Sequence, residues 1–212
     1  MLTSRQIDRY SRQIITQGFG GAAQERLLAA HAVLVGKMKD LDPVLPYIVA
    51  AGVGHVRLDT DADATIVSLQ ARFKDLNPDV ELAAANDSGD RCDLLLAIAS
   101  DLKMVERMQH HAALHSSAPI IYTRLEATPA IAIISTRPPC LRCADADLSA
   151  PLVGGCANSG LVAMIAGLEA IKLLAGMAGA EARLIEFEGY AAASRALHTG
   201  TPSCECAQTP SL

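Results

Sequence analysis

The sequence predicts an α/β fold, a mainly parallel sheet flanked by helices, and three observations predict it. Short apolar runs of strand length alternate with helical segments along most of the 212 residues, the rhythm of β-α-β units. Half of the residues are apolar, yet there are only 4 Tyr, 3 Phe and no Trp. A core of Ala, Leu, Ile and Val suits helices packed on a parallel sheet. A chain of this length also buries about 70% of the surface it exposes when unfolded, so it needs no disulfide framework. We therefore expect one domain spanning 1–212.

The elements follow in order. Thr3 to Gly18 reads as a helix, with Thr3 or Ser4 as cap and Ile7, Tyr10 and Ile14 at helical spacing. Arg5, Arg9 and Arg12 share a second face of it, which on spacing alone is a solvated charged face. Gly18, Gly20 and Gly21 break the chain before a short amphipathic helix, Ala22 to Ala30. His31 to Gly36 is a buried strand, Val44 to Ala51 a helix closed by Gly52 and Gly54, and His55 to Leu58 an alternating strand. These make a β-α-β unit whose crossover is right-handed. Ala64 to Leu76 suits a helix, Val80 to Ala83 a strand, Asp93 to Ala99 a fully buried strand, and Leu102 to Ser116 a helix. Pro119 to Thr123 and Pro129 to Ser135 are strands. Gly160 to Leu174 is apolar nearly all the way round and is expected to be buried. Ala182 to Phe187 is a last strand, followed by a Gly/Ser/Thr-rich stretch that ends in Cys204-Glu205-Cys206.

Charge and composition exclude several roles. Against 18 Lys and Arg stand 23 Asp and Glu, a formal charge of -5. A nucleic-acid binder needs a basic footprint and usually stacking aromatics. Pro151 to Leu168 carries no charge, but four glycines, Asn158 and the following Glu169 and Lys172 argue against a membrane span. Arg5, Asp8, Arg9 and Arg12 interrupt any secretory signal. A cytoplasmic location is expected, where six cysteines mean metal or redox chemistry and not disulfide staples.

Cys140-Leu141-Arg142-Cys143 is a C-x-x-C, and Cys204-x-Cys206 is a second close pair far along the chain. Two such pairs are the usual way to assemble a tetrahedral thiolate site, and redox-silent Zn²⁺ fits four sulfurs best. A redox pair at Cys140 and Cys143 belongs at a helix start, whereas Pro138-Pro139 precede this one with no helical run behind. Unliganded cysteines remain the third reading. Cys92 heads a buried strand and is a core cysteine. Cys156, in Gly154-Gly155-Cys156-Ala157-Asn158, precedes a helix whose N-terminus would lower a thiol pKa. It is a candidate nucleophile, or simply a small residue in a packed turn.

Together these pieces resemble the ThiF/MoeB/HesA family, bacterial relatives of ubiquitin-activating enzymes. Arg9-Tyr10-Ser11-Arg12-Gln13-Ile14 is similar to the family's RYxRQI opening, and Gln24 to Leu27 with Ala32 to Gly36 to its helix into the first strand. Tyr47 to Gly54 is similar to its AGVG element, Pro139 to Cys143 to its zinc knuckle, Glu169 to Gly176 to its EAIKLLAG helix, and Cys204-Glu205-Cys206 to its closing zinc pair. The resemblance implies a Rossmann-like sheet with a tetrathiolate zinc knuckle formed by Cys140, Cys143, Cys204 and Cys206. It also implies ATP·Mg²⁺ as cofactor and adenylation of the C-terminal glycine of a ubiquitin-fold sulfur carrier.

Four parts of the implied nucleotide site depart from the family pattern. The GxGGxG run is Gly36-Lys37-Met38-Lys39-Asp40-Leu41-Asp42-Pro43 here. One glycine survives, side chains fill the approach, and the aspartates repel phosphate; Lys37 and Lys39 could contact it only as point charges. Asp59 or Asp61 stands where the family has its ribose-binding acid, although an aspartate in a surface loop is usually just solvated. The SNLxRQ segment and a phosphate-contacting lysine are missing between Asp63 and Leu76-Asn77-Pro78. In place of the magnesium-binding aspartate stands Ser100, with Asp101 one position late. ATP·Mg²⁺ is thus called into question by the same residues that the resemblance puts around it.

Two functions follow. In the first, the chain is a catalytically silent member that serves as dimer partner or scaffold, in a homo- or heterodimer with a competent paralogue. The resemblance implies an N-terminal helix, residues 3–18, that crosses the dimer, and places Arg12 against the partner's ATP. An arginine supplied in trans stabilises developing phosphoryl charge. In the second, the chain is an active adenylyltransferase or sulfur-transfer enzyme with an atypical nucleotide loop and Cys156 as acceptor. A sheet domain binding another small ligand or peptide at the strand carboxyl ends is a weaker third.

Overall fold

The computed structural model describes residues 1–61, 66–85, 91–125, 130–134, 140, 141, 143, 144, 159–177, 182–188 and 191–197. Eight strands form one sheet in the order β3-β2-β1-β4-β5-β6-β7-β8. They are β1 His31–Gly36, β2 His55–Asp59, β3 Glu81–Ala84, β4 Leu94–Ala99, β5 Ile120–Arg124, β6 Ala130–Ile134, β7 Arg183–Glu188 and β8 Ala191–Ala196. The run from β3 to β5 is parallel, and β6, β7 and β8 add antiparallel pairs. The described helices are α1 Ser4–Ile14, α2 Gly20–Ala29, α3 Met38–Leu41, α4 Leu45–Ala51, α5 Ile66–Leu76, α6 Leu102–Leu114 and α7 Ser159–Ala175.

Strand alternation sorts the core into two layers. Ala32 and Leu34 of β1 and Leu94, Leu96 and Ile98 of β4 face one side, where they pack with residues of α2, α4, α5 and α7. Val33 and Val35, with Leu95, Ala97 and Ala99, face the other, under Met104, Met108 and Ala112 of α6 and beside Leu141 and Ala144. Both faces of β4 are buried, as the uninterrupted apolar run predicts. On β2 the alternation is different: Val56 and Leu58 are buried while His55, Arg57 and Asp59 are half-exposed on the α6 side. On that face α6 packs chiefly on β1 and β4, and its Arg107 and His111 side chains reach Asp59 at the end of β2. A sheet surface open to water carries polar side chains, and Asp59 belongs to that row.

Three expectations need correction. Residues 38–41, expected as a relic of a phosphate loop, form the four-residue helix α3 with Leu41 fully buried. The stretch after β7, expected to be irregular, contains β8. α7 is buried on most sides, but Leu161, Met164 and Leu168 are exposed along one of them. Its Gly167 lies where an added Cβ would fall 2.2 Å from Val44 Cγ2, so the helix passes too close to its neighbour for any side chain. Glu169, almost fully buried in the same helix, is paired with Lys172 and with Arg183 of β7. None of the described helices is long and apolar enough to cross a membrane.

Candidate functional site

The adjacent parallel strands β1 and β4 lead to helices on opposite faces of the sheet, so their carboxyl ends form its topological switch point, where a crevice is expected. In open α/β sheets such a switch point is where ligands bind. Gly36 ends β1, and an added Cβ there would lie 2.9 Å from the Ile98 carbonyl oxygen and 3.2 Å from Leu41 Cγ. Packing against β4 and α3 therefore fixes this glycine.

The charged residues around the crevice are spent on one another. Lys37 Nζ donates to Asp101 Oδ2 at 2.6 Å across the carboxyl ends of β1 and β4. Asp101 is also the N-cap of α6, its Oδ1 accepting from the Met104 N–H at 2.9 Å. The bond from Lys37, then the Met104 N–H, holds the Asp101 carboxyl below its ordinary value. The same bond holds the Lys37 ammonium above its own. Asp61 accepts from the Met38 N–H at 2.9 Å, a free amide at the start of α3, and from the Thr60 hydroxyl at 3.2 Å. The Met38 bond is the main reason its carboxyl lies below the usual range. Asp59 pairs with Arg107 Nη1 and His111 Nε2, both at 3.0 Å, and Arg107 also donates to the Thr60 carbonyl at 2.9 Å. Beside this cluster is an open groove of about 460 Å³ lined by Asp59, Ala85, Glu106, Arg107, His110 and His111.

Of the sequence candidates, Gly36, Asp61 and Asp101 thus meet at one end of the sheet, with Asp59 beside them. None of the three aspartates is merely solvated. Ser100 Oγ is buried without a hydrogen-bond partner among the described residues. Lys37, Arg107 and His111 were not foreseen as partners. The signal for Lys37 and Asp101 was present in their positions, each just past one of two strands that a doubly wound sheet places side by side.

The N-terminal helix is built differently. Thr3 caps α1 through a reciprocal box with Gln6. Tyr10 is its one fully buried side chain. The arginine face divides: Arg9 donates to the Leu76 carbonyl at 3.1 Å and lies 3.6 Å from Asp79, with Arg5 4.0 Å from the same carboxylate. The Arg12 side chain is exposed and pairs with no described residue.

Cys140 Sγ and Cys143 Sγ lie 3.7 Å apart, Cys140 partly exposed and Cys143 buried. Two sulfurs on a tetrahedron with metal–sulfur bonds of about 2.3 Å are separated by about 3.8 Å, so the pair has the bite of a zinc chelate. Cys204, Cys206 and Cys156 lie outside the described residues, among which no three His, Cys, Asp or Glu side chains are arranged to hold a metal. Cys92, partly buried at the edge of the α6-side core, donates to the Leu94 carbonyl at 3.2 Å, and burial pushes its thiol up to about 11.

No protein-family model matches the sequence. Protein HesA, vegetative, of Trichormus variabilis is 31% identical over 82% of this chain and 78% of its own length. The chain belongs to the ThiF/MoeB/HesA family. The sulfur carrier protein ThiS adenylyltransferase of Escherichia coli is 27% identical over 96% of this chain and 97% of its own. The molybdopterin-synthase adenylyltransferase of the same organism is 24% identical over 98% and 99%. Among solved structures, the microcin C7 biosynthetic enzyme MccB with N-formylated MccA superposes with a TM-score of 0.66 at 14% identity. It covers 97% of this chain and 77% of MccB, a likeness of fold.

Proposed function

We propose that this chain is a nucleotide-silent member of the family, acting as dimer partner or scaffold while a competent paralogue activates a ubiquitin-like or sulfur-carrier protein. The observation that carries this reading is the Lys37–Asp101 pair, drawn across the crevice where the resemblance puts phosphate and magnesium. The residues there do not fit ATP·Mg²⁺. Leu41 and the Ile98 carbonyl crowd Gly36, the first free amide of α3 is capped by Asp61, and the Asp59 carboxylate is engaged by Arg107 and His111. A phosphate chain would have to break the Lys37–Asp101 pair and displace Asp61.

Arg12 supplies the positive side of the proposal. It is exposed on α1 while Arg9, on the same face, is tied to the body of the protein. That exposure supports the reading in which Arg12 acts on a partner's nucleotide and not on this chain's own.

Cys140 and Cys143, with Cys204 and Cys206, would hold a structural zinc; the 3.7 Å separation of the first two supports this. When bound, the metal supplies a cross-link between distant segments and no step of the reaction.

The test is ATP–pyrophosphate exchange with purified carrier. The isolated chain is expected to exchange no label; exchange at the rate of a competent relative sinks the silent reading and revives the alternative, an active enzyme that uses Cys156. Metal analysis is expected to find about one zinc per chain, lost when Cys140 and Cys143 are changed to Ser. Metal-free wild-type protein, purified without chelator, overturns the tetrathiolate assignment.

A further inference from the structure

α1 is held to the protein by very little apolar surface, and what holds it is specific. Of its eleven residues only Tyr10 is fully buried. The Tyr10 hydroxyl accepts from Asn77 Nδ2 at 2.9 Å and donates to Asp79 Oδ2 at 3.3 Å. Asn77 is itself buried and fixed, its Nδ2 also donating to the Val49 carbonyl at 2.7 Å and its Oδ1 accepting from the Asp79 N–H at 3.2 Å. The ring lies against Gly52, where φ is +86° and an added Cβ would fall 2.8 Å from the Tyr10 Cζ and hydroxyl oxygen. Gly52 is thus required twice, for its left-handed backbone and to admit the tyrosine. Arg9 completes the grip on Leu76 and Asp79.

Such a bond network does more than add adhesion. A phenylalanine would fill the same slot and let the helix roll about its axis, whereas the hydroxyl has directional partners on a buried amide. Successive residues of an α-helix are turned by about 100°. With Tyr10 pointing inward, Arg12 leaves α1 on roughly the opposite side and lies close to one turn beyond Arg9. Asp79, which holds Arg9 and has Arg5 at 4.0 Å, makes no ion pair with Arg12.

We infer that Tyr10, through Asn77 and Asp79, is a positioning residue that fixes the rotational setting of α1 and so the direction in which Arg12 projects. The inference rests on the reading of Arg12 as a group acting on a partner's nucleotide. For such a group direction matters as much as presence, since misplacement by about 1 Å can cost about 100-fold in rate.

The experiment uses the full chain, a competent paralogue from the same cell and its carrier, and follows pyrophosphate exchange as this chain is titrated to saturation. Tyr10→Phe keeps the ring and removes the bonds. We expect its saturated rate to fall about 10-fold, with the half-saturating concentration changed by less than about 2-fold, and Asn77→Ala combined with it to add nothing further. A role in stability alone would lower apparent affinity and leave the saturated rate intact. Hydrogen exchange on the Tyr10→Phe chain by itself is expected to show faster exchange over residues 5–14. Unchanged exchange there, or an unchanged saturated rate while Arg12→Ala lowers it, overturns the inference. An Arg12→Ala chain as effective as wild type sinks the trans-acting reading and the functional half of this inference with it. The exchange over α1 still decides whether the clamp exists.

Discussion

The carboxyl ends of β1, β2 and β4 and the outer face of α1 both carry charges that the resemblance assigns to a nucleotide, and they treat those charges in opposite ways. At the strand ends each acid has found a partner inside the chain: Asp101 has Lys37, Asp61 has the Met38 amide, Asp59 has Arg107 and His111. On α1 Arg9 is tied to Asp79 and the Leu76 carbonyl, and Arg12 is left exposed. A charge satisfied within the fold serves the fold. One held on an ordered helix in solvent, with its face-mates already paired, is free to serve a second molecule.

The sharpest way to break this contrast is to exchange its two ends. Arg12→Ala is expected to lower the exchange rate of a competent partner by about 10³-fold or more, the scale on which an arginine supplied in trans acts. Lys37→Met, which removes the cation at the crevice, is expected to leave that rate within about 2-fold, since it gives no contact to a partner's phosphate. Equal effects of the two substitutions on the partner's rate would erase the distinction.

Next in size are the substitutions that leave buried partners stranded. Asp59→Ala removes the acceptor of His111 Nε2, and His111 is only 3% exposed. Leaving a buried donor unsatisfied costs about 1–3 kcal/mol, which urea unfolding would read as a lowered midpoint at constant slope. Gly36→Ala is expected to cost a similar amount, about 1–3 kcal/mol, because a Cβ there meets the backbone of β4. If Gly36 is instead a vacant phosphate cradle, the alanine will be tolerated without a change in midpoint.

How much of this was legible in the sequence follows the physics of each element. β1 and β4 announce themselves as short runs of Val, Leu and Ile, and both lie within a residue of where the pattern puts them. β8 does not: Ala191-Ala192-Ala193-Ser194-Arg195-Ala196 has low strand propensity, and its pairing with β7 makes it a strand. α3 is too short for a helical period to show, and its buried anchor, Leu41, could be read only as an intruder in a glycine loop. The candidate site was legible in its parts but not in its partners. Asp59, Asp61 and Asp101 were named from the family resemblance, at or just past strand ends, whereas Arg107 and His111 lie on α6, far along the chain. The clamp on α1 was half visible: Tyr10 reads as the buried side of an amphipathic helix, but that its hydroxyl meets Asn77 depends on where α5 ends.

The smallest effect concerns the Lys37–Asp101 pair itself and has a definite dependence on pH. Asp101 is held below the ordinary carboxylate value, so its contribution is fully present above the unfolded pKa of about 3.9 and is lost as the pH falls through the lower folded value. Lys37 is held above the ordinary ammonium value, so its contribution is full below about 10.4 and is lost as the pH rises through the higher folded one. The stabilisation by the pair therefore spans roughly pH 4 to pH 10. Comparing urea midpoints of wild type and Lys37→Met, the difference is expected to be level across that span, to shrink below about pH 4, and to narrow at high salt because both groups face solvent. His31 moves in the other sense: burial, then its neighbour His55, holds its imidazole below the ordinary value, so its contribution is lost as the pH falls below about 6.5. That loss is common to both proteins and cancels in the difference. Arg12→Ala, with no partner to lose among the described residues, is expected to show a flat, near-zero difference from pH 4 to pH 10. A pH-dependent midpoint shift for Arg12→Ala of the size seen with Lys37→Met would mean that Arg12, too, is spent on the fold.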